Sequence, residues 1–200
     1  TTGSFNTAVG LIALHSNTTG GENTAYGYRA LYSATTASYN TALGSGCGDN
    51  ITTGGQNTVV GNQAMESATT GDDNVAIGYK ALGSITTTSD NVAVGSGAGQ
   101  LTTGQLNTYV GHQAGRAATS GENSTFIGAY CGSAYTVTGH HNTGLGYMAM
   151  HRMTSGANNT VLGDFAATYL NTGDENTVVG YKAGEAVTTG VRNTLIGATA

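Results

Sequence analysis

Large apolar residues recur along this chain at a nearly fixed spacing. Val9, Tyr26, Leu43, Val60, Ile77, Val94, Val110, Ile127, Leu145, Leu162, Val179 and Ile196 each stand immediately before a glycine, and most stand three residues after an asparagine. The glycines that close these segments, from Gly10, Gly27 and Gly44 to Gly197, keep the same period with small departures. The consensus unit is N-T-A-V-G-x-x-A-L-x-x-x-T-T-G-x-x, with Asn as position 1. Twelve units begin at Asn6, Asn23, Asn40, Asn57, Asn74, Asn91, Asn107, Asn123, Asn142, Asn159, Asn176 and Asn193. A unit of this length is too short for two helices. It predicts one coil of a β-solenoid, built from two short strands and two glycine corners.

Strand periodicity then assigns faces. Position 4 is always large and apolar, and position 2 (Thr, or Val75 and Val92) shares its face, so this pair is expected to point into the core. Position 8 is Ala or, twice, Cys47 and Cys131, which reads as a tight buried corner. Position 12 is often apolar (Ile51, Ile85, Met153, Leu170, Val187) and supplies the opposite wall. Position 3 should then face outward, yet it is apolar too. A strand apolar on both faces is usually covered on both. Val59, Tyr109, Phe126, Val161, Val178 and Leu195 are therefore expected to form an outer stripe for lateral association, preferably as a homotrimer. Position 1 of the regular coils (Asn6, Asn23, Asn40, Asn57, Asn74, Asn91, Asn107, Asn142, Asn159, Asn176 and Asn193) is expected to make a ladder of side-chain amides along the stack. Neither end carries the polar cap that solenoids need, so the array is expected to be a segment of a longer fibre.

Composition agrees with an all-β chain. Gly, Thr and Asn make up 84 of the 200 residues, only 8% are charged, and proline is absent. Those three residues are weak helix formers, and collagen needs proline and a three-residue period. The net charge of −5, with six scattered basic residues, argues against nucleic acid as a partner. No apolar run approaches the ~20 residues of a membrane helix.

Strings such as TTGGENTAYGYRALYSATTASYNTALG at 18–44 resemble repeats of phage tail-fibre proteins, notably of marine and cyanobacterial phages. The unit is also similar to the head repeats of trimeric autotransporter adhesins, which have a shorter period. The resemblance spans the whole chain. It implies a homotrimeric rod on the virion surface or otherwise outside the cell, carrying or forming a surface that meets a host glycan or protein receptor.

The chemistry-bearing residues do not assemble a catalyst, and neither enzyme activity nor a cofactor is expected. The acids sit mostly in the turn before the unit's Asn, where turn chemistry and solubility account for them. Calcium needs six to eight oxygens, and the coils beside Asp72 and Asp73 often lack the acid. His140 and His141 read as polar residues of an enlarged turn, and no metal is expected. Cys47 and Cys131 lie five rungs apart, too far at ~4.8 Å per rung for a disulfide. The rhythm breaks between Asn91 and Asn142, where Tyr109, Phe126, Tyr130, Tyr135, His140 and His141 gather as a candidate contact patch. The function expected is a structural and adhesive fibre segment, most plainly a phage tail fibre for host attachment. The alternatives are a bacterial surface adhesin and an ice-binding solenoid. The Thr-Thr pairs invite the last, but adjacent residues face opposite ways, and an outer position 3 running from Ala to Phe would not make a uniform face.

Overall fold

The computed structural model describes residues 2–200, and among them it contains strand, turn and irregular backbone but no helix. The chain divides into two compact units, Thr1–Gln100 and Leu101–Ala200. The first holds β1 (Thr7–Val9), β2 (Thr24–Tyr26), β3 (Thr41–Leu43), β4 (Thr58–Val60), β5 (Val75–Ile77) and β6 (Val92–Val94). The second holds β7 (Thr108–Val110), β8 (Thr125–Ile127), β9 (Thr143–Leu145), β10 (Thr160–Leu162), β11 (Thr177–Val179) and β12 (Thr194–Ile196). Within each unit every strand pairs in parallel with the next, position for position, as in Thr58↔Val75 and Tyr109↔Phe126. Both units are therefore parallel β-solenoids in which one coil is one sequence repeat, as from Asn57 to Asn74.

Each coil carries one strand, not the two expected. The Thr-Thr segment folds as a turn in which several donors share one acceptor: the N–H groups of Thr35, Thr36 and Ala37 all point at the Thr52 carbonyl, at 3.0, 3.3 and 3.3 Å. The first Thr of the pair adds its hydroxyl to the same carbonyl (Thr35 Oγ1 to Thr52 O, 3.1 Å). β-Branched residues fit this segment because their hydroxyls bond the next coil, not because they line a ladder.

The faces are the reverse of the expectation. Position 3 points inward: Ala25, Ala42, Val59, Ala76, Ala93, Tyr109, Phe126, Val161 and Val178 are buried, and Leu195 in the last coil is partly so. Positions 2 and 4 point outward, with Val9, Tyr26, Leu43, Ile77, Leu145, Leu162 and Ile196 all exposed. The expected outer stripe of Val59, Tyr109, Phe126, Val161, Val178 and Leu195 is thus part of the core. Alternation over a three-residue strand separates position 3 from positions 2 and 4, but with both sets apolar it does not say which set is inside.

Position 9 decides it, by volume. Where position 3 is Ala, position 9 can be large, as in Ala25 with Leu31 and Ala76 with Leu82, and both are fully buried. Where position 3 is aromatic, position 9 is glycine: a β-carbon on Gly132 would lie 2.8 Å from the Phe126 ring, and one on Gly115 would run into Tyr109. Gly144 reverses the arrangement opposite Met150. In these coils a close-packed interior leaves a limited volume that the two positions divide; elsewhere other side chains share it, as where Ala42 stands with Gly48 and a β-carbon on Gly48 would meet Leu31 and Ile51 at 3.0 Å. Positions 8 and 12 complete the core, with Ala30, Cys47, Ala81, Cys131, Ile51, Ile85, Met153 and Leu170 buried.

The glycine at position 5 is required by conformation. Its φ runs from 124° to 143° along the chain, as at Gly61 (124°) and Gly44 (143°), a region closed to residues with a β-carbon. A β-carbon at Gly61 would also meet the backbone of Gly78 at 2.7 Å.

Candidate functional site

The asparagine ladder lies inside the coil. Along the regular coils an Asn Oδ1 accepts two bonds from the following Asn, one from its backbone N–H and one from its side-chain amide: Asn57 Oδ1 receives Asn74 N at 3.0 Å and Asn74 Nδ2 at 3.2 Å. The Nδ2 also donates to a corner carbonyl of its own coil, as Asn57 does to Gly71 O at 2.9 Å and Asn159 to Gly173 O at 2.8 Å. The buried amide is therefore satisfied on every side, and it ties the strand to the far corner of the coil. One coil departs from this. Asn123 lies one residue outside the register, with φ +54°, and Ser124 stands in the Asn place. Ser124 N–H donates to Asn107 Oδ1 at 3.0 Å, and its hydroxyl accepts Asn142 N–H at 3.2 Å. The eighth unit begins at Ser124, not at Asn123.

The candidate patch between Asn91 and Asn142 does not form one surface. Tyr109 and Phe126 are fully buried and stack on each other with centroids 5.9 Å apart, so they cannot contact a partner. Burial also pushes the Tyr109 phenol up from its ordinary pKa. His140 and His141 are exposed in the turn before β9, with ring centroids 6.3 Å apart, and His140 Nδ1 accepts the Glu122 N–H at 3.1 Å. Tyr130 belongs instead to an edge-to-face aromatic series that the sequence does not reveal. It meets His112 at 5.2 Å, Tyr147 at 6.2 Å and His151 at 6.4 Å, and the series continues through Phe165 (5.2 Å from Tyr147) to Tyr181 (6.4 Å). The alternation of positions 6 and 7 in successive coils produces it. Tyr135 projects separately, 48% exposed.

The surface feature common to both units is the outer strand face. Position 2 presents Thr or Val and position 4 presents Val, Leu, Ile or Tyr, and no strand residue carries a charge. Position 6 widens the face with exposed Leu11, Tyr28, Tyr79, Tyr147 and Tyr181.

Cys47 and Cys131 are free and buried, and burial pushes each thiol up to about 12, so neither is a thiolate near neutral pH. Among the described residues no group of three or more His, Cys, Asp or Glu side chains is placed to hold a metal ion. No helix among them is long and apolar enough to cross a membrane. No protein-family model, no curated protein and no solved structure matches this chain.

Proposed function

We propose that this chain is a structural and adhesive fibre segment of the phage tail-fibre kind, without catalysis, displayed on a virion surface for host attachment and assembled with copies of itself, as a homotrimer. The observation that carries this reading is the outer strand face. It is uncharged, regular and apolar at every position 4, with Leu43, Leu145 and Leu162 each more than 40% exposed. Contiguous apolar surface of this kind marks an interaction site on a soluble protein. Identical coils in register suit an identical partner, because each file of one chain meets the same file of its neighbour. Light scattering on the purified chain tests it: an assembled species is expected, and one charge on the face, such as Val60→Asp, is expected to break it into single chains.

A second reading gains from the same face. Thr at position 2 and an aliphatic at position 4 share one surface and repeat at strand spacing of ~4.8 Å, which is the kind of regular array an ice-binding solenoid uses. Tyr26 within the file, and the tyrosines at position 6, favour protein contact over a flat ice-facing plane. Thermal hysteresis of the unaltered chain is expected to be absent.

A further inference from the structure

We propose that one flank of the second unit is a binding groove for a saccharide bearing a carboxylate, which rests on the attachment reading for its purpose but is built within a single chain. The groove encloses about 310 Å³ and is lined by Tyr135, Arg152, Thr154, Tyr169, Asn171 and Thr188. That volume sits at the lower end of the ~300–1,000 Å³ of small-ligand sites, room for one or two sugar rings.

Departures from the repeat create it. Arg152 and Tyr169 hold position 11 of adjacent coils, a place taken elsewhere by small residues such as Ser16, Ser33, Ser67, Ser84 and Ala186. Tyr135 joins them from the coil with the longest glycine step, Gly128 to Gly146. Three tall side chains thus form one wall. Thr154, Asn171 and Thr188, each at position 13 of its coil, form the other.

The lining has the chemistry of sugar recognition. Tyr135 is 48% and Tyr169 41% exposed, and such rings offer apolar surface to the C–H face of a pyranose together with a polar hydroxyl. The opposite wall offers hydroxyls and an amide. Thr154 donates its hydroxyl to Asn171 Oδ1, which leaves the amide N–H groups of Asn171 for a ligand.

The sign of the ligand follows from Arg152. Three other cations are tied to acids: Arg29 to Asp49 at 3.0 Å, Arg192 to Glu175 at 2.8 Å and Lys182 to Glu185 at 3.7 Å. Arg152 makes no ion pair among the described residues and stands 4.8 Å over the Tyr169 ring. No acid lines the groove. An exposed guanidinium with no acid partner, resting beside aromatic rings, suits a carboxylate, which it can meet with two parallel bonds. An acidic peptide is the poorer fit. The backbone N–H groups of Thr154 and Asn171 already bond Asn171 O (2.9 Å) and Thr188 O (2.8 Å), so they are not available to pair with an added strand.

The test is isothermal titration of the whole chain with trigalacturonate and with 3′-sialyllactose, each against its methyl ester, and with a glutamate-rich peptide. At least one acidic sugar is expected to bind with Kd between about 10 μM and 1 mM, and esterification is expected to weaken it about tenfold. Arg152→Ser is expected to abolish the difference between acid and ester. Tyr169→Ser is expected to weaken both about tenfold. Both variants should keep the parent melting temperature, because Ser already stands at this position in other coils. No binding of either sugar up to about 10 mM, binding unchanged in both variants, or a peptide that competes at lower concentration overturns the proposal. Light scattering on the same samples separates the two readings. A monomer that binds sugar overturns the fibre assembly and keeps the groove, and an assembly that binds none overturns the groove alone.

Discussion

Asn74 shows how much one side chain does in a coil. Its Oδ1 accepts the N–H of Asn91 at 3.0 Å, and its amide donates to Asn57 Oδ1 at 3.2 Å and to the Thr88 carbonyl at 3.0 Å. Asn74→Ala leaves these buried partners bare, at ~1–3 kcal/mol for each group not rescued by water. A loss of about 2–4 kcal/mol is expected on that basis, seen as a lower melting temperature by circular dichroism. Asn74→Ser should recover part of it, as Ser124 does in its own coil. The ladder is legible in the sequence, because an asparagine recurring at one position of every regular coil has a chemical meaning when coils stack. The two cysteines give a pH dependence. Their ordinary pKa of 9.0 is raised to about 12 by burial. The unfolded chain therefore loses these protons first. Their stabilisation is complete below about pH 9 and falls as pH rises from there toward 12. Cys47→Ala with Cys131→Ala, the residue of most other coils at position 8, is expected to flatten the fall in denaturant midpoint between about pH 8 and 10.5.

In the coils of Ala25, Ala76, Tyr109 and Phe126, positions 3 and 9 share one volume. Gly115→Leu alone is expected to unseat Tyr109, and Tyr109→Ala alone to cost about 3–5 kcal/mol through the cavity it leaves. The double variant recreates the Ala25–Leu31 arrangement and should recover most of the loss. A double-mutant cycle in denaturant measures the coupling, expected at more than about 1 kcal/mol. Independent, additive effects would contradict the shared-volume account. The same residues explain where hydrophobic patterning misleads. Period, corners and the buried positions 8 and 12 are plain from spacing. Which side of the strand lies inside is not, because Thr, Ala and Val all tolerate either side. The information is present as compensation, Gly132 opposite Phe126 and Met150 opposite Gly144, rather than as hydrophobicity. The β-branched residues of the Thr-Thr segment suggest strand, but their backbone donors converge on one carbonyl. The groove around Arg152 is invisible along the chain, because Tyr135, Arg152 and Tyr169 are neighbours only once coils stack.

For the molecule as a whole, turning the strand outside in exchanges one apolar stripe for another. Tyr109 and Phe126 no longer serve a partner, and Leu43, Ile77, Leu145 and Leu162 take that place, flanked by Thr. An uncharged face repeated through both units is the feature that the fibre account depends on, and the low charge of the whole chain follows from it: a charge repeated in register along a file repels itself. The most direct test is the mass of the purified chain by multi-angle light scattering, alone and with Val60→Asp. A trimer is expected, three times the mass of the 20.0 kDa chain, falling to single chains when the charge is introduced. A parent protein that stays a 20.0 kDa monomer at every concentration would contradict it.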